Sequence, residues 1–494
     1  MISIAGTPLR VCNLYKTRSA NVILDLLQGL GAPAARRHRS SLQAIARGES
    51  DHWVCDRKAR WFGGKVNLRT LISVFLVLIL SSCRLVSAGL EPNGGRVVNV
   101  RDFGARGDGV ADDTAAIQAA INAAKASERI YFPPGIFNVS NFVVKNRQGL
   151  SFVGEGRKSI IKQKTGAARI ATVEASRDIA ISNLAFDANG IVSYGGVVFY
   201  AGKGVRIENN TFFDSAPKPI GNTDRFSFVF ARGSEPSQDI KIVNNVIDDL
   251  QLEVNHSQRV LIDRNTVKRA IATAGIGIFT VGDKAIAEDY QITNNIVIDP
   301  VGAGFSVGID PPTDSHCVFR RITIADNQVI RTKTAGYGVR LGTPNNSIKT
   351  TGNVFEDLVI KNNRLRIEAT APQPSQMIFA NATATAGILF NELTVSGNKI
   401  ENEGPGGKGY AIDLRRIQKS LVADNTVKGF ASGISLSGEL LSNEVRNNVV
   451  EASEVAYRLE GSLGGNRTAN NRIVGKPRQG WMSSNLQASD AVEQ

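Results

Sequence analysis

Residues 203–213 read KGVRIENNTFF, and the chain returns to this phrase nine times. It recurs as IKIVNNVID (240–248), VLIDRNTVK (260–268), QITNNIVID (291–299), TIADNQVIR (323–331) and VIKNNRLRI (359–367). Four further copies are LTVSGNKIE (393–401), LVADNTVKG (421–429), EVRNNVVEA (444–452) and RTANNRIVG (467–475). The last Asn of each copy is Asn210, Asn245, Asn265, Asn295, Asn327, Asn363, Asn398, Asn425, Asn448 or Asn471, at intervals of 20 to 36 residues. A period in this range marks stacked supersecondary units. The alternating apolar residues before each Asn predict a short half-buried strand. Asn tolerates the left-handed backbone of a tight corner, and its side chain can bond backbone groups there. Equivalent Asn residues stacked on successive coils would link their amides into a ladder.

A second strand signal falls between the phrases. It reads GVVFYAG (196–202), FSFVFAR (226–232), LQLEVNH (250–256), GIGIFTVG (275–282) and GFSVGID (304–310). It continues as YGVRLGT (337–343), AGILFNE (386–392), YAIDLRR (410–416), SGISLSG (432–438) and VAYRLEG (455–461). Several short strands per repeat, separated by corners, predict an all-β chain, a right-handed parallel β-helix. Gly, Asn and β-branched residues crowd every repeat, which argues against helices. A sandwich or propeller also repeats strands, but the Asn corner at a fixed place favours the solenoid. Ten coils at about 4.8 Å each would span roughly 50 Å.

The 494 residues carry a formal net charge of +13, unevenly placed. Residues 1–83 hold 12 Lys and Arg against 4 Asp and Glu, a net of +8, leaving +5 for the rest. The basic excess is thus largely a property of the leader, and no helix-turn-helix, phosphate loop or RNA-binding signature accompanies it, so no nucleic-acid partner is expected. Residues 66–83, VNLRTLISVFLVLILSSC, join a short basic segment to an apolar run and end in Leu80-Ser81-Ser82-Cys83. The run is too short to favour a span of about 20 residues and resembles a bacterial lipoprotein signal, with Cys83 as the lipidated residue and a lipid anchor as the membrane link. The alternative is a secretory signal cleaved near Ser87-Ala88; both export the chain, to an outer membrane, a cell surface or the periplasm. Residues 1–65 show no periodicity, and the expectation is a true start at Val66. The expected organisation is a non-native leader at 1–65, a signal at 66–83, a linker at 84–95, the β-helix at 96–476 and a tail at 477–494. Cys12, Cys55, Cys83 and Cys317 make no disulfide framework, and the four scattered His give no zinc spacing.

The folded part opens with VVNVRDFGARGDGVADDTAAIQAAINAAKASERIYFPPGIF (97–137). Asp112-Asp113-Thr114 predicts an N-cap, and Ala115 to Ala124 follow with helical spacing. A solenoid must cover its first coil, and this helix is the predicted cap. Asp108, Asp112 and Asp113 read as cap and turn residues rather than a calcium cluster. Asp102-Phe103-Gly104-Ala105, Gly107-Asp108-Gly109, Asp112-Asp113-Thr114 and Phe132-Pro133-Pro134-Gly135 resemble the opening of the pectate-lyase-like superfamily, in particular its rhamnogalacturonase/epimerase-like branch. The resemblance implies the β-helix. It leaves the reaction open, because that superfamily includes hydrolases, lyases, epimerases and adhesins.

The strand set beginning GVVFYAG is the candidate ligand face. Its outward positions would include Glu253, Asn255, Asp310, Arg340, Asp413, Arg415 and Arg458. Such charges are often merely solvated, but Arg340, Arg415 and Arg458 on one side would suit the carboxylates of an acidic glycan. A second constellation is similar to polygalacturonases: Asn222-Thr223-Asp224, then Asp248-Asp249 one coil later. That resemblance implies Asp248 as general acid, with Asp224 and Asp249 holding the water. It departs from the family pattern at Arg225, at Ala274-Gly275-Ile276-Gly277, where a His is missing, and at Gly342, where a Lys belongs. The leading expectation is a glycoside hydrolase on an acidic, uronate-containing polysaccharide, with no cofactor. A lyase or epimerase on the same fold is the alternative, with calcium as the cofactor of a lyase. So is a non-catalytic glycan-binding lipoprotein, favoured by the lack of Trp in the solenoid: Trp53 and Trp61 lie in the leader and Trp481 in the tail.

Overall fold

The repeated dipeptide divides its labour. In all ten copies the residue before the ladder Asn takes the left-handed backbone, as in Asn209 (φ 58°), Asn244 (φ 56°) and Asn294 (φ 55°). The ladder Asn itself is not the left-handed residue, contrary to expectation. The first residue therefore makes the corner, and the second turns its amide into the interior, where Asn210 to Asn471 are all 3% exposed or less. The computed structural model describes residues 96–483, apart from 191–195, 217–225, 232–234, 281, 310–314, 343–349, 369–375, 383–386 and 405–406. These belong to one of two compact units, Glu91–Gln494. The leader, the signal with Cys83 and the linker lie outside the described residues.

Strands stack in parallel in three columns, forming a right-handed β-helix. The first column precedes the Asn corner and includes Arg206–Glu208, Ser237–Val243, Ser257–Asp263, Ile286–Thr293, Val318–Ala325 and Val354–Lys361. The second follows it, with Thr211–Phe213, Val246–Asp248, Thr266–Lys268, Ile296–Ile298, Gln328–Arg331 and Arg364–Ile367. The third includes Gln251–Val254, Ala274–Phe279, Ala303–Gly308, Val339–Gly342 and Gln376–Asn381. Alternation then fills the interior: Ile207, Ile242, Ile262, Ile292, Ile324 and Ile360 form one buried row on the first column. Each such side chain contributes roughly 1.5–3 kcal/mol through burial. Where the repeat shortens to 23 residues the corner loops vanish, and strands such as Thr426–Leu441 and Val449–Gly464 run from one column through the next.

The ladder is continuous. The first ladder oxygen, on Asn210, accepts from Leu184 N at 3.0 Å, and each later one accepts two bonds from the Asn one coil earlier: Asn295 Oδ1 takes Asn265 N at 2.9 Å and Asn265 Nδ2 at 3.0 Å. Each Nδ2 also donates back to a main-chain carbonyl, as Asn295 Nδ2 does to Ile262 O at 2.9 Å. A second, shorter ladder that sequence reasoning missed runs through Ser420, Asn443 and Asn466 at the other end of the first column. Its members appear in only the last coils, so no ten-fold recurrence announces them.

The cap is the predicted helix, α1 (Thr114–Ala123), whose Ile117, Ala120 and Ile121 are buried over the first coil. Its Gln118 side chain also caps an open strand edge, donating to Val143 O at 3.0 Å and accepting from Val143 N at 2.8 Å. Asp113 is the N-cap residue, but its carboxylate accepts from the amides of Arg106 and Gly107 rather than from the helix. Asp108 binds the amides of Val110 and Ala111, and Asp112 binds Thr114 and Lys164. The Lys164 ammonium and the Thr114 groups hold the Asp112 carboxyl down to about 2. A carboxyl lowered in the fold adds stability above its ordinary value near 3.8, and that stability is lost as the pH falls towards 2. Protection of the α1 amides against exchange, relative to the free peptide rate at each pH, should therefore fall between pH 4 and 2 (about two pH units,), and Asp112→Asn should abolish that acid step. An unchanged step in the variant would refute this account of the cap.

The solenoid continues beyond the predicted boundary at 476. Gln479–Ser483 pairs with the third-column residues Val455–Leu459, and Trp481 stacks on Tyr457 at 4.4 Å. Trp481 therefore belongs to the last coil, not to a tail.

Candidate functional site

Strand register places the sequence-predicted face with no further assumption. On the third column Glu253 faces Gly277, then Ser306, Arg340, Phe379, Asp413, Ser435 and Arg458 in one outward row. Arg340, Asp413 and Arg458 thus share a side of the solenoid, as expected. Glu253 is three coils, about 14 Å, from Arg340. It is not a solvated charge: it is 8% exposed, with Gln251 Nε2 on one oxygen at 2.9 Å and Asn255 Nδ2 on the other. Asn255 itself is buried and accepts from Phe279 N at 2.7 Å. A Cβ on Gly277 would lie 2.3 Å from the Phe279 ring, so that ring covers the floor of the row next to Glu253. Asp310 lies outside the described residues.

What the structure brings together is a cluster around Phe379. Tyr337 stacks on Phe379 with ring centroids 5.4 Å apart and planes within 12°. Arg340 lies 5.8 Å from the Tyr337 ring and donates Nε to Ser306 Oγ at 3.1 Å. Arg415 lies 5.0 Å over the Phe379 ring and bonds Asp413 Oδ2 at 3.0 Å. Asp413 is 3% exposed, and Gln376 Nε2 also reaches it at 3.4 Å. Arg458 donates to Tyr410 Oη at 2.7 Å and to Glu460 at 2.5 Å. Phe379 is itself only 6% exposed, with Tyr337 and Arg415 packed on its ring. It backs a platform whose open apolar surface is the half-buried Tyr337 ring, and the flanking guanidinium groups are donor forks that match a carboxylate. Asp413 pairs internally, so its role is to orient Arg415 rather than to meet solvent.

Sequence reasoning missed Tyr337, Phe379 and Gln376. It assigned AGILFNE (386–392) to the ligand face, but Phe390–Asn391 pairs with Phe355–Glu356 on the first column. The third-column strand of that coil is Gln376–Asn381, which carries Phe379. Both segments are short apolar runs, and only the long corner between them separates the alternatives.

The acidic constellation resolves differently. Asp248 ends Val246–Asp248, and Asp249 (φ 61°) turns the corner towards the third column. Arg269, one coil on, lies 2.6 Å from Asp248 Oδ1 and binds Asp249 at 3.0 and 3.3 Å. The hydrogen bonds that Arg269 donates to Asp249, with the charge of Asp248, raise the Arg269 guanidinium above its ordinary value. Both carboxylates are thus engaged by a cation that sequence reasoning did not connect to them, and Asp224 lies outside the described residues. Asp248→Asn should shift the unfolding free energy by under ~1 kcal/mol, since the pair is partly solvated. It should leave activity on acidic glycans within about threefold, whereas a loss of roughly 100-fold would restore Asp248 as proton donor.

A cleft of about 660 Å³ lies elsewhere, on the first column between Asp239, Arg259, Asp289, Arg321 and Asp357. Its carboxylates Asp239 and Asp289 are each bound by an arginine of the next coil, Arg259 and Arg321. Among the described residues no group of three His, Cys, Asp or Glu is arranged to hold a metal ion.

The family described as rhamnogalacturonase A/epimerase, pectate lyase-like, matches residues 97–355. The chain belongs to that family. Mannuronan C5-epimerase AlgE1 of Azotobacter vinelandii is 39% identical over 108 residues, 18% of this chain and 8% of the relative. Alginate lyase 7 of the same organism is 38% identical over 108 residues, 18% of this chain and 12% of the relative. The chain therefore spans about a tenth of the length of the curated relatives it matches. Among solved structures, the Streptococcus pneumoniae surface protein and adhesin PfbA aligns at a TM-score of 0.52 and 17% identity, over 80% of this chain and 100% of that one. At that identity the likeness is one of fold.

Proposed function

We propose that this protein is an extracytoplasmic enzyme of uronate-containing polysaccharides, which lie along the outward face of the third column. The Tyr337–Phe379 platform between Arg340 and Arg415 carries this reading. Aromatic faces take sugar rings, while guanidinium forks take carboxylates. Hydrolysis was the leading expectation, with Asp248 as acid. The ion pairing of Asp248 and Asp249 with Arg269 favours instead a reaction centred on the carbon bearing the uronate carboxylate. Guanidinium groups on that carboxylate stabilise the negative charge that develops when a base lining the same face takes up the neighbouring C5 proton. Returning a proton to the opposite face gives epimerisation, and expelling the 4-linked oxygen gives a lyase product. The names of the mannuronan epimerases and the alginate lyase are consistent with this class.

Incubating the protein with polymannuronate and with polygalacturonate in D2O tests the reading. Deuterium at C5, the mark of epimerisation, or unsaturated ends, the mark of a lyase, is the expected result. New reducing ends with neither deuterium nor unsaturation would mean hydrolysis, and binding without any change would mean a glycan-binding protein; either outcome overturns the proposed reaction. Export through a lipid on Cys83 is part of the same proposal. Mass spectrometry of the native protein should find a diacylglyceryl group there, and a soluble form beginning near Gly89 would refute the anchor.

A further inference from the structure

Among the described residues Arg331 is the one wholly buried arginine. It ends the second-column strand Gln328–Arg331 and is 0% exposed. One terminal nitrogen donates to Pro300 O at 2.8 Å, Ala335 O at 2.5 Å and Thr334 Oγ1 at 3.1 Å. The other donates to Gly302 O at 2.6 Å and to Tyr337 O. Four main-chain carbonyls therefore converge on one planar fork. Asp299, 8% exposed, grips the start of the same segment, accepting from Thr332 N at 2.6 Å, Thr332 Oγ1 at 2.7 Å and Lys333 N at 2.9 Å. Burial draws the Arg331 guanidinium down to about 10, with Asp299 opposing that shift. Gly336 closes the segment with φ 118°, and a Cβ there would lie 2.3 Å from Gly302 O.

A buried guanidinium is expensive unless its donors meet acceptors; both terminal nitrogens do so here, while Nε is buried without a partner, and an apolar side chain would leave four carbonyls without these donors. Its fixed planar geometry sets where those carbonyls sit, which a flexible ammonium could not do. The last of them belongs to Tyr337. We propose that Arg331, with Asp299, is the positioning residue of the glycan face, fixing the 332–337 segment so that the Tyr337 ring lies parallel to Phe379 and beside Arg340. This rests on the glycan-binding reading of that face. The consequence is specificity: the sugar ring and its carboxylate meet Tyr337 and Arg340 at one set spacing.

A double-mutant cycle separates the two claims. The probes are oligomannuronate and oligogalacturonate, with affinity and unfolding midpoint both measured. Arg331→Lys is expected to weaken binding about tenfold, as Tyr337→Ala does, and the double variant is expected to bind no worse than Tyr337→Ala alone. A merely structural role would move the midpoint and leave the affinity of the folded protein unchanged. Asp299→Asn, a milder change, gives the same readout if Arg331→Lys does not fold. If Tyr337→Ala and Arg340→Ala bind like the parent, the glycan face itself is wrong and the positioning role falls with it. If those two lose affinity while Arg331→Lys and Asp299→Asn keep it, positioning alone is overturned.

Discussion

Asn295→Ala lowers the unfolding free energy by about 3–5 kcal/mol, because it strands several buried partners at roughly 1–3 kcal/mol each. The lost amide accepts from Asn265 N and Asn265 Nδ2 and donates to Ile262 O and Asn327 Oδ1, all within 3.0 Å. Asn295 is 0% exposed, so water does not replace these bonds without opening the coil. The preceding residue supplies the internal control. Asn294 makes the left-handed turn, and Asn294→Gly keeps that backbone at little strain, losing only the bond from its side chain to Asp263 Oδ1. Chemical denaturation of both variants checks the difference. Equal midpoints for Asn295→Ala and the parent would mean that the ladder contributes nothing net. Because each coil touches only its neighbours, the loss should be felt most by the coils holding Asn265 and Asn327.

The second large effect is on binding. Arg340→Ala removes a half-buried guanidinium, and affinity for a uronate oligomer should fall about 10- to 100-fold, the worth of one charge-assisted contact. Arg340→Lys should recover part of it, since the charge returns without the planar fork. The parent's affinity should decline with salt more steeply than that of Arg340→Ala. Arg415→Ala should behave differently, lowering stability as well, because Asp413 would stay buried with Gln376 as its remaining side-chain partner described here. Titration calorimetry at two salt concentrations reads both effects. An unchanged affinity in Arg340→Ala would remove this face as the uronate site.

The β-helix was legible because the ladder position tolerates almost nothing but Asn, so the phrase recurs whatever the loops do. The cap was legible for a related reason, since one amphipathic helix before a strand-rich chain has few other uses. The site was legible only in part. Period-two alternation gave the outward side of Arg340 and Asp413, but it cannot say which neighbour lies one coil away. Coils here differ in length by up to 16 residues, so pairing Arg269 with Asp248 and Asp249 requires the register. The same variation hid Phe379, whose strand competes with AGILFNE for one place in the repeat. Arg331 gave no signal at all: an arginine at a strand end reads as solvated, and only the carbonyls gathered around it show otherwise.

A crystal structure of the protein with a bound uronate oligosaccharide tests the central claim most directly. The account predicts a sugar ring against Tyr337 and Phe379, with its carboxylate within hydrogen-bond reach of Arg340 or Arg415. An oligosaccharide seated at the Asp248–Asp249 corner, or in the first-column cleft at Arg259 and Arg321, would contradict it.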